Sequence, residues 1–210
     1  LIGLIIFGVI VSILNPRFLS SANLLNILRQ TSINAIIAAG MTFVILTGGI
    51  DLSVGSILAI CGAVSASMLA GGVNGYIVLI VTLILGTILG AISGSFISYG
   101  KLQAFITTLV AMTLLRGATL VFTNGKPISM GFGDNAMLFD TIGGGYLLGI
   151  PVPIYIMVVV FVICNYILKN TKFGRYVFAV GGNEEATKLS GINVEKLKVK
   201  VYAISGGLAA

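Results

Sequence analysis

Long apolar stretches separated by short polar breaks organise this chain. Apolar runs cover residues 1–14, 33–50, 54–70, 76–99, 104–122 and 152–168, and another opens near 199. No charged residue falls between Arg29 and Asp51, between Asp51 and Lys101, or between Asp140 and Lys169. A bilayer core of about 30 Å takes roughly 20 apolar residues per helix, so these gaps have the length of membrane spans. One buried helix of a soluble core does not explain them. The pattern predicts an all-α fold, a polytopic transmembrane helical bundle of about six spans plus the start of a seventh.

The stretch 33–70 admits two readings. Two short spans, 33–50 and 54–70, can run as antiparallel neighbours joined at Asp51, placing Asp51 near one membrane surface. Alternatively the whole stretch is one discontinuous helix, which inverts everything before it. Gly48-Gly49 followed by cap-type residues favours the first. In either case the break is covered by protein or a watery cavity, because unpaired backbone is not tolerated against lipid.

Small residues recur every fourth position at Gly55, Ala59, Ala63, Ser67 and Gly71, and again at Gly86, Gly90, Gly94 and Ser98. Such ladders let helix backbones approach closely, and both are expected to face a neighbouring helix. Residues 123–151 hold Asn124-Gly125, Pro127, Gly143-Gly144-Gly145, Pro151 and Pro153, all turn formers. They read as an outer loop with a short surface helix around 134–140. Residues 1–210 thus form one transmembrane domain, with this outer loop and a charged segment at 169–200. The chain opens and closes inside apolar runs and is expected to be incomplete at both ends.

Composition agrees: 57% of residues are hydrophobic and 9% charged, against about 25% charged in ordinary globular chains. The net charge of +6 would suggest nucleic acid in a soluble protein. Here the basic residues gather in 169–200, where Lys169, Lys172, Arg175, Lys188, Lys196, Lys198 and Lys200 face only Glu184, Glu185 and Glu195. That imbalance marks the cytoplasmic side. It puts 123–151 outside and the Lys101 turn inside; Arg17 and Arg29, in an outer segment, run against the rule.

Chemistry-bearing motifs are few. Gly125-Lys126 is followed by Pro127 and lacks the upstream glycine of a Walker loop, so the chain has no ATP site of its own. The sequence contains no His, the commonest general base, and shows no catalytic pair, metal-ligand spacing or cofactor motif. Cys61 and Cys164 lie singly in apolar runs. These absences point away from an enzyme.

Three places stand out. Asp51, within Thr47-Gly48-Gly49-Ile50-Asp51-Leu52-Ser53, is an acid among residues that favour lipid. Either Asp51 or Ser53 caps the helix from 54, or Asp51 lines a path. Arg116 lies about 18 Å along the 104–122 helix at 1.5 Å per residue; it snorkels outward, pairs with an acid such as Asp51, or meets a solute. The segment from Gly181-Gly182 to Asn193 spells a short helix: Asn183 as N-cap, Glu184 and Glu185 in the first turn, Ala186, Thr187 and Leu189 within, Lys188 late, Gly191 as terminator. Such defined ends suit the docking of a partner better than a solvated connector.

These residues carry a family resemblance. Asn23-Leu24-Leu25-Asn26-Ile27-Leu28, the stretch Ala39 to Ser56, Lys101 to Leu109, Leu115-Arg116-Gly117, Thr123-Asn124-Gly125, Phe173-Gly174-Arg175-Tyr176 and Gly181 to Asn193 resemble the permease subunits of bacterial ABC importers for ribose and related monosaccharides. The resemblance covers essentially the whole chain and implies that it is the N-terminal portion of such a permease. It further implies a homodimer of permeases in membrane lipid, an ATP-binding cassette subunit on each cytoplasmic face, and a periplasmic sugar-binding protein outside. Glu185-Ala186-Thr187-x-x-x-Gly191 is similar to the EAA-x3-G signature of importer permeases, departing at Thr187 and lacking the downstream proline. A competing class, judged from the residues alone, is an ion-coupled secondary carrier built on an intramembrane acid and a broken helix.

Overall fold

A computed structural model describes residues 2–15, 17–131 and 135–210. Ten helices are described: α1 (Ile2–Leu14), α2 (Ser21–Leu46), α3 (Val54–Ala70), α4 (Gly75–Ser98), α5 (Ala104–Phe122), α6 (Met137–Gly144), α7 (Val152–Asn170), α8 (Lys172–Gly182), α9 (Glu184–Leu189) and α10 (Val194–Ala209). A two-residue hairpin, β1 (Tyr146–Leu147) against β2 (Ile150–Pro151), precedes α7. Side-chain oxygens of Ser20, Asn74, Thr171, Asn183 and Asn193 accept first-turn amides and cap α2, α4, α8, α9 and α10. Each cap satisfies a donor that the helix itself leaves free.

Four helices, α2, α4, α5 and α7, are long and apolar enough to cross a membrane; α3 and the described part of α1 are apolar but shorter. The expected count of six spans and part of a seventh is therefore reached only in part. The expected boundaries also shift. α2 begins at Ser21, well before 33, because nothing between 21 and 33 breaks a helix and Ser20 caps it; Arg29 marks a change of polarity, not of backbone. It ends at Leu46, before 50, where Gly48 takes φ +75° and the Gly49 amide returns to the Val44 carbonyl at 3.0 Å, a glycine-terminated helix end. The surface helix expected around 134–140 is α6, starting at Met137; Asp134, like Leu1 of the first expected span, lies outside the described residues.

α10 is the centre of the arrangement. It packs along α4, along α2 and against α3. On α4, a Cβ at Gly94 would meet Tyr202 Cβ at 2.9 Å and Val199 Cα at 3.0 Å, while Gly86 lies against Gly206 and Ala210. The two helices are therefore antiparallel and nearly backbone to backbone. Gly40 of α2 lies 3.1 Å from Ser205 Cα by the same measure, and Val44 and Tyr202 share one core, so α2 also runs antiparallel to α10. Ile57 and Cys61 of α3 pack with Ala209, whereas Asp51 meets Ser205; α3 thus runs with α10.

These directions correct one expectation. α2 and α3 do run antiparallel, but they scarcely touch, because α10 lies between them. The connecting stretch 47–53 reverses the chain around the flank of α10. α5 lies beside α3 in the same direction, through Thr108 to Ile50 and Ser56 to Met112.

The two small-residue ladders differ. That of Gly86, Gly90 and Gly94 meets α10. That of Gly55, Ala59, Ala63, Ser67 and Gly71 is open at its start: a Cβ at Gly55 would meet nothing within 4 Å, Ala59 is exposed, and α5 stands across a groove from them. The other side of α3 is committed inward, by Ile57 and Cys61 and by the Ser65–Thr82 hydroxyl contact at 2.7 Å. The outer surface of the bundle is bulky and apolar, with Ile77, Ile80, Ile84 and Ile88 exposed on α4 and Val158, Val159 and Val162 on α7. A surface of this kind suits contact with lipid or with other protein, not with water.

Candidate functional site

Two features concentrate polar chemistry: the break between α2 and α3, and the charged end formed by α8, α9 and the start of α10.

Thr47 to Ser53, between α2 and α3, lacks the helical ladder, so its backbone needs partners from elsewhere. Asp51 supplies some. Its Oδ1 accepts from the Ser53 amide at 3.0 Å and the Ser53 hydroxyl at 2.6 Å, and its Oδ2 accepts from the Ser205 hydroxyl of α10 at 3.1 Å. The Ile50 carbonyl accepts from the Tyr202 hydroxyl at 3.1 Å and from Thr108 of α5 at 3.4 Å. Asp51 is 1% exposed and Ser53 fully buried. Asp51 is thus a local turn-maker that is also tied to α10. Ser53 occupies the N-cap position without a capping side-chain bond, its hydroxyl being turned to donate to Asp51.

Arg116 does not pair with Asp51, as the sequence allowed. It is exposed on α5 and borders an outer groove with Gly55, Ser56, Ala59 and Thr119, while both Asp51 oxygens are engaged elsewhere. Tyr202, Ser205 and Thr108 were not singled out from sequence. The available signal was Ser205-Gly206-Gly207 interrupting the seventh apolar run, small and polar residues where lipid contact would favour bulk.

At the charged end, α7 turns sharply into α8, where Gly174 lies against the carbonyls of Ile167 and Leu168. α8 is amphipathic: Val177 and Val180 are buried, while Lys172, Arg175 and Phe178 are exposed. Gly181, at its end, sits directly on the Leu46 carbonyl that closes α2. α9 follows. Asn183 Oδ1 accepts from the Ala186 amide at 2.9 Å, Thr187 is buried with its hydroxyl on the Asn183 carbonyl, and Gly191 takes φ +80°. Glu185, Ala186 and Leu189 point outward, Leu189 being 90% exposed.

Ion pairs fix α9 to α10. Glu184 meets Lys198 at 2.7 Å and Lys188 at 3.8 Å, and Lys188 meets Glu195 at 2.8 Å. The hydrogen bond with Glu195 raises the Lys188 pKa from its ordinary value, and the same bond lowers that of Glu195. A cavity of about 420 Å³ joins this cluster to the break, bounded by Thr47, Gly48, Gly49, Lys101, Glu184 and Lys198. Among the described residues no group of acids, cysteines or histidines could hold a metal ion.

A bundle of apolar helices with a bulky outer surface, a buried polar break and one basic end is a multi-pass membrane protein. Residues 23–210 match the family model described as the branched-chain amino acid transport system / permease component, and the chain belongs to that family. It is 62% identical over 209 residues to the ribose import permease protein of Haemophilus influenzae, covering all of this chain and 65% of that relative. The ribose import permease protein of Bacillus subtilis is 53% identical over 209 residues, covering 100% of this chain and 64% of that protein. An inner membrane ABC transporter permease protein of Escherichia coli K12 is 36% identical over 213 residues, covering 99% and 63%. The chain therefore spans just under two thirds of the length of these relatives. No solved structure matches it.

Proposed function

We propose that this chain is part of the membrane-spanning permease subunit of an ATP-binding cassette importer that moves ribose or a related monosaccharide across the bacterial inner membrane. The observation that carries the reading is α9. It is a capped helix at the basic end, held to α10 by Glu184–Lys198 and joined through Gly181 to the end of α2. A rigid body so placed passes a push from outside the membrane to two helices of the bundle at once, α2 and α10, which a flexible loop cannot do. Its exposed Ala186 and Leu189 offer an apolar contact to the ATP-binding subunit. The basic excess of 169–200 sets this end in the cytoplasm, the hairpin and α6 outside toward a periplasmic sugar-binding protein, and a second permease copy alongside.

Chemistry resides in the ATP-binding partner, and the permease acts without a cofactor. An ion-coupled carrier finds little support, because Asp51 is enclosed and its oxygens are occupied by hydroxyl and amide donors. The test uses cysteines at positions 185 and 189 of the full-length permease. Crosslinking of Glu185→Cys and Leu189→Cys to the ATP-binding subunit is the expected result. Reaction with reagents confined to the periplasm would refute the topology and the coupling role together.

A further inference from the structure

The charges at the basic end are not evenly compensated. α10 presents two charged faces. On one, Glu195 and Lys198 are neutralised by Lys188 and Glu184. On the other, Lys196 and Lys200 stand one helical turn apart, both exposed, and neither has a carboxylate within 4.0 Å among the described residues. Like charges at this spacing repel; Glu184 and Glu195 are committed to the opposite face, and Glu185 points outward from α9 without pairing to either lysine. Beneath these lysines lies a groove of about 490 Å³ whose other walls include Phe173, Tyr176, Ser190 and Asn193. Its charged lining is wholly basic, and the Asn193 amide NH2 and Tyr176 hydroxyl can donate to an oxyanion, whereas the Ser190 hydroxyl is donated to the Ala186 carbonyl.

The depth of the groove narrows the choice of anion. Lys200 is the last charged residue of α10, and from Val201 onward the helix is buried or apolar within the bundle. α8, which forms the opposite wall, is amphipathic, with Tyr176 38% and Phe178 50% exposed. Aromatic side chains beside unpaired lysines, where a span leaves its apolar stretch, mark the level of lipid headgroups. We propose that this groove binds the phosphate of an anionic phospholipid headgroup from the cytoplasmic leaflet, with Lys196 and Lys200 as its two cationic contacts and Tyr176 at its rim. The proposal rests on the topology given under the proposed function.

The experiment takes the full-length permease with its ATP-binding subunit, stripped of lipid in neutral detergent. It measures binding of phosphatidylglycerol, of phosphatidylcholine with the same acyl chains, and of inorganic phosphate, by native mass spectrometry. Retention of phosphatidylglycerol alone is expected. The Lys196→Gln/Lys200→Gln variant should bind it on the order of 30-fold more weakly, about fivefold per lysine, while Lys169→Gln serves as a surface-charge control near wild type. Equal retention of both lipids, or an unchanged double variant, overturns the proposal. Displacement by inorganic phosphate at matched concentration assigns the groove to a soluble anion and also overturns it. Loss of the ATP-binding subunit from the double variant, with lipid retention intact, assigns the groove to that protein and likewise overturns it. Labelling of Leu189→Cys from each side of intact vesicles reads the topology separately, so a wrong sidedness is told apart from a groove that does not bind lipid.

Discussion

Replacing Gly90 with alanine adds one methyl group where α4 and α10 touch backbone to backbone. A Cβ there runs into the Tyr202 carbonyl oxygen, with the Tyr202 carbonyl carbon at 3.0 Å and Gly206 Cα at 3.1 Å. None of these atoms belongs to a flexible side chain, so α10 has to retreat by about an ångström to restore van der Waals contact in so dense an interior. That stretch of α10 also carries the Tyr202–Ile50 and Ser205–Asp51 hydrogen bonds, both 3.1 Å, which such a shift takes beyond useful length. Overpacking of this kind costs about 1–3 kcal/mol. Losing the neutral bond adds about 0.5–1.5 kcal/mol and the carboxylate bond about 1.5–3, while alanine returns up to ~1 kcal/mol in helix propensity. Coupled terms do not add fully, and a net loss of about 2–5 kcal/mol is expected. Gly117→Ala on α5 is the control, since a Cβ there meets nothing within 4 Å. Thermal unfolding of the two full-length variants in detergent should show a large fall in midpoint for Gly90→Ala and no fall for Gly117→Ala, and Gly90→Leu should fail to assemble. Equal midpoints for Gly90→Ala and wild type would refute the close contact.

Three further outcomes follow from the geometry. Ser205→Ala removes the α10 donor to Asp51 and should cost about 1–3 kcal/mol in the same unfolding assay; an unchanged midpoint means that the tie is dispensable. Gly191→Val forces a β-branched residue to φ +80°, a strain of about 1–2 kcal/mol. It should lower sugar-stimulated ATP hydrolysis of the reconstituted importer while leaving membrane insertion intact, and normal stimulated hydrolysis would remove the coupling role. The Lys188–Glu195 pair is intact across neutral pH, because Glu195 is lowered below 4.5 and Lys188 raised above 10.5. Its contribution is lost as pH falls through the lowered Glu195 value or rises through the raised Lys188 value, so hydrogen exchange in 184–198, corrected for intrinsic pH dependence, should quicken only at those extremes; quickening near neutrality contradicts the pairing.

What could be read from sequence was what local rules decide. The caps of α9 at Asn183 and Gly191 were legible because an N-cap and a left-handed terminator act within a few residues of themselves. The membrane class was legible from charge-free gaps. The place of α10 was not, because its contacts reach back more than 150 residues, as between Tyr202 and Ile50, and no local pattern records which span will be a neighbour. The two ladders of small residues look alike in sequence, yet that of Gly86, Gly90 and Gly94 is packed against α10 whereas that of Gly55 and Ala59 borders an open groove; which face is used depends on how Ile57, Cys61 and Ser65 turn α3. Asp51 was conspicuous by its charge, but its partners were hidden: buried serines and threonines commonly return their hydroxyls to their own helix, as Thr82 does to Val78, so Ser205 carried no distinguishing mark.

The central position of α10 has a consequence for the order in which the molecule is made. The helix that fills the groove of Gly86, Gly90 and Gly94 and supplies Ser205 to Asp51 is encoded after α2, α3 and α4, against which it packs. Roughly a hundred residues separate that groove from α10, and at 5–20 residues per second the ribosome needs about 5–20 s to add them. Throughout that interval α2, α3 and α4 reside in the bilayer with an open glycine face and an acid short of one of its donors. The nascent chain is therefore expected to pass through a stage in which this glycine face is lipid- or translocon-facing, and the arrival of α10 closes several contacts at once.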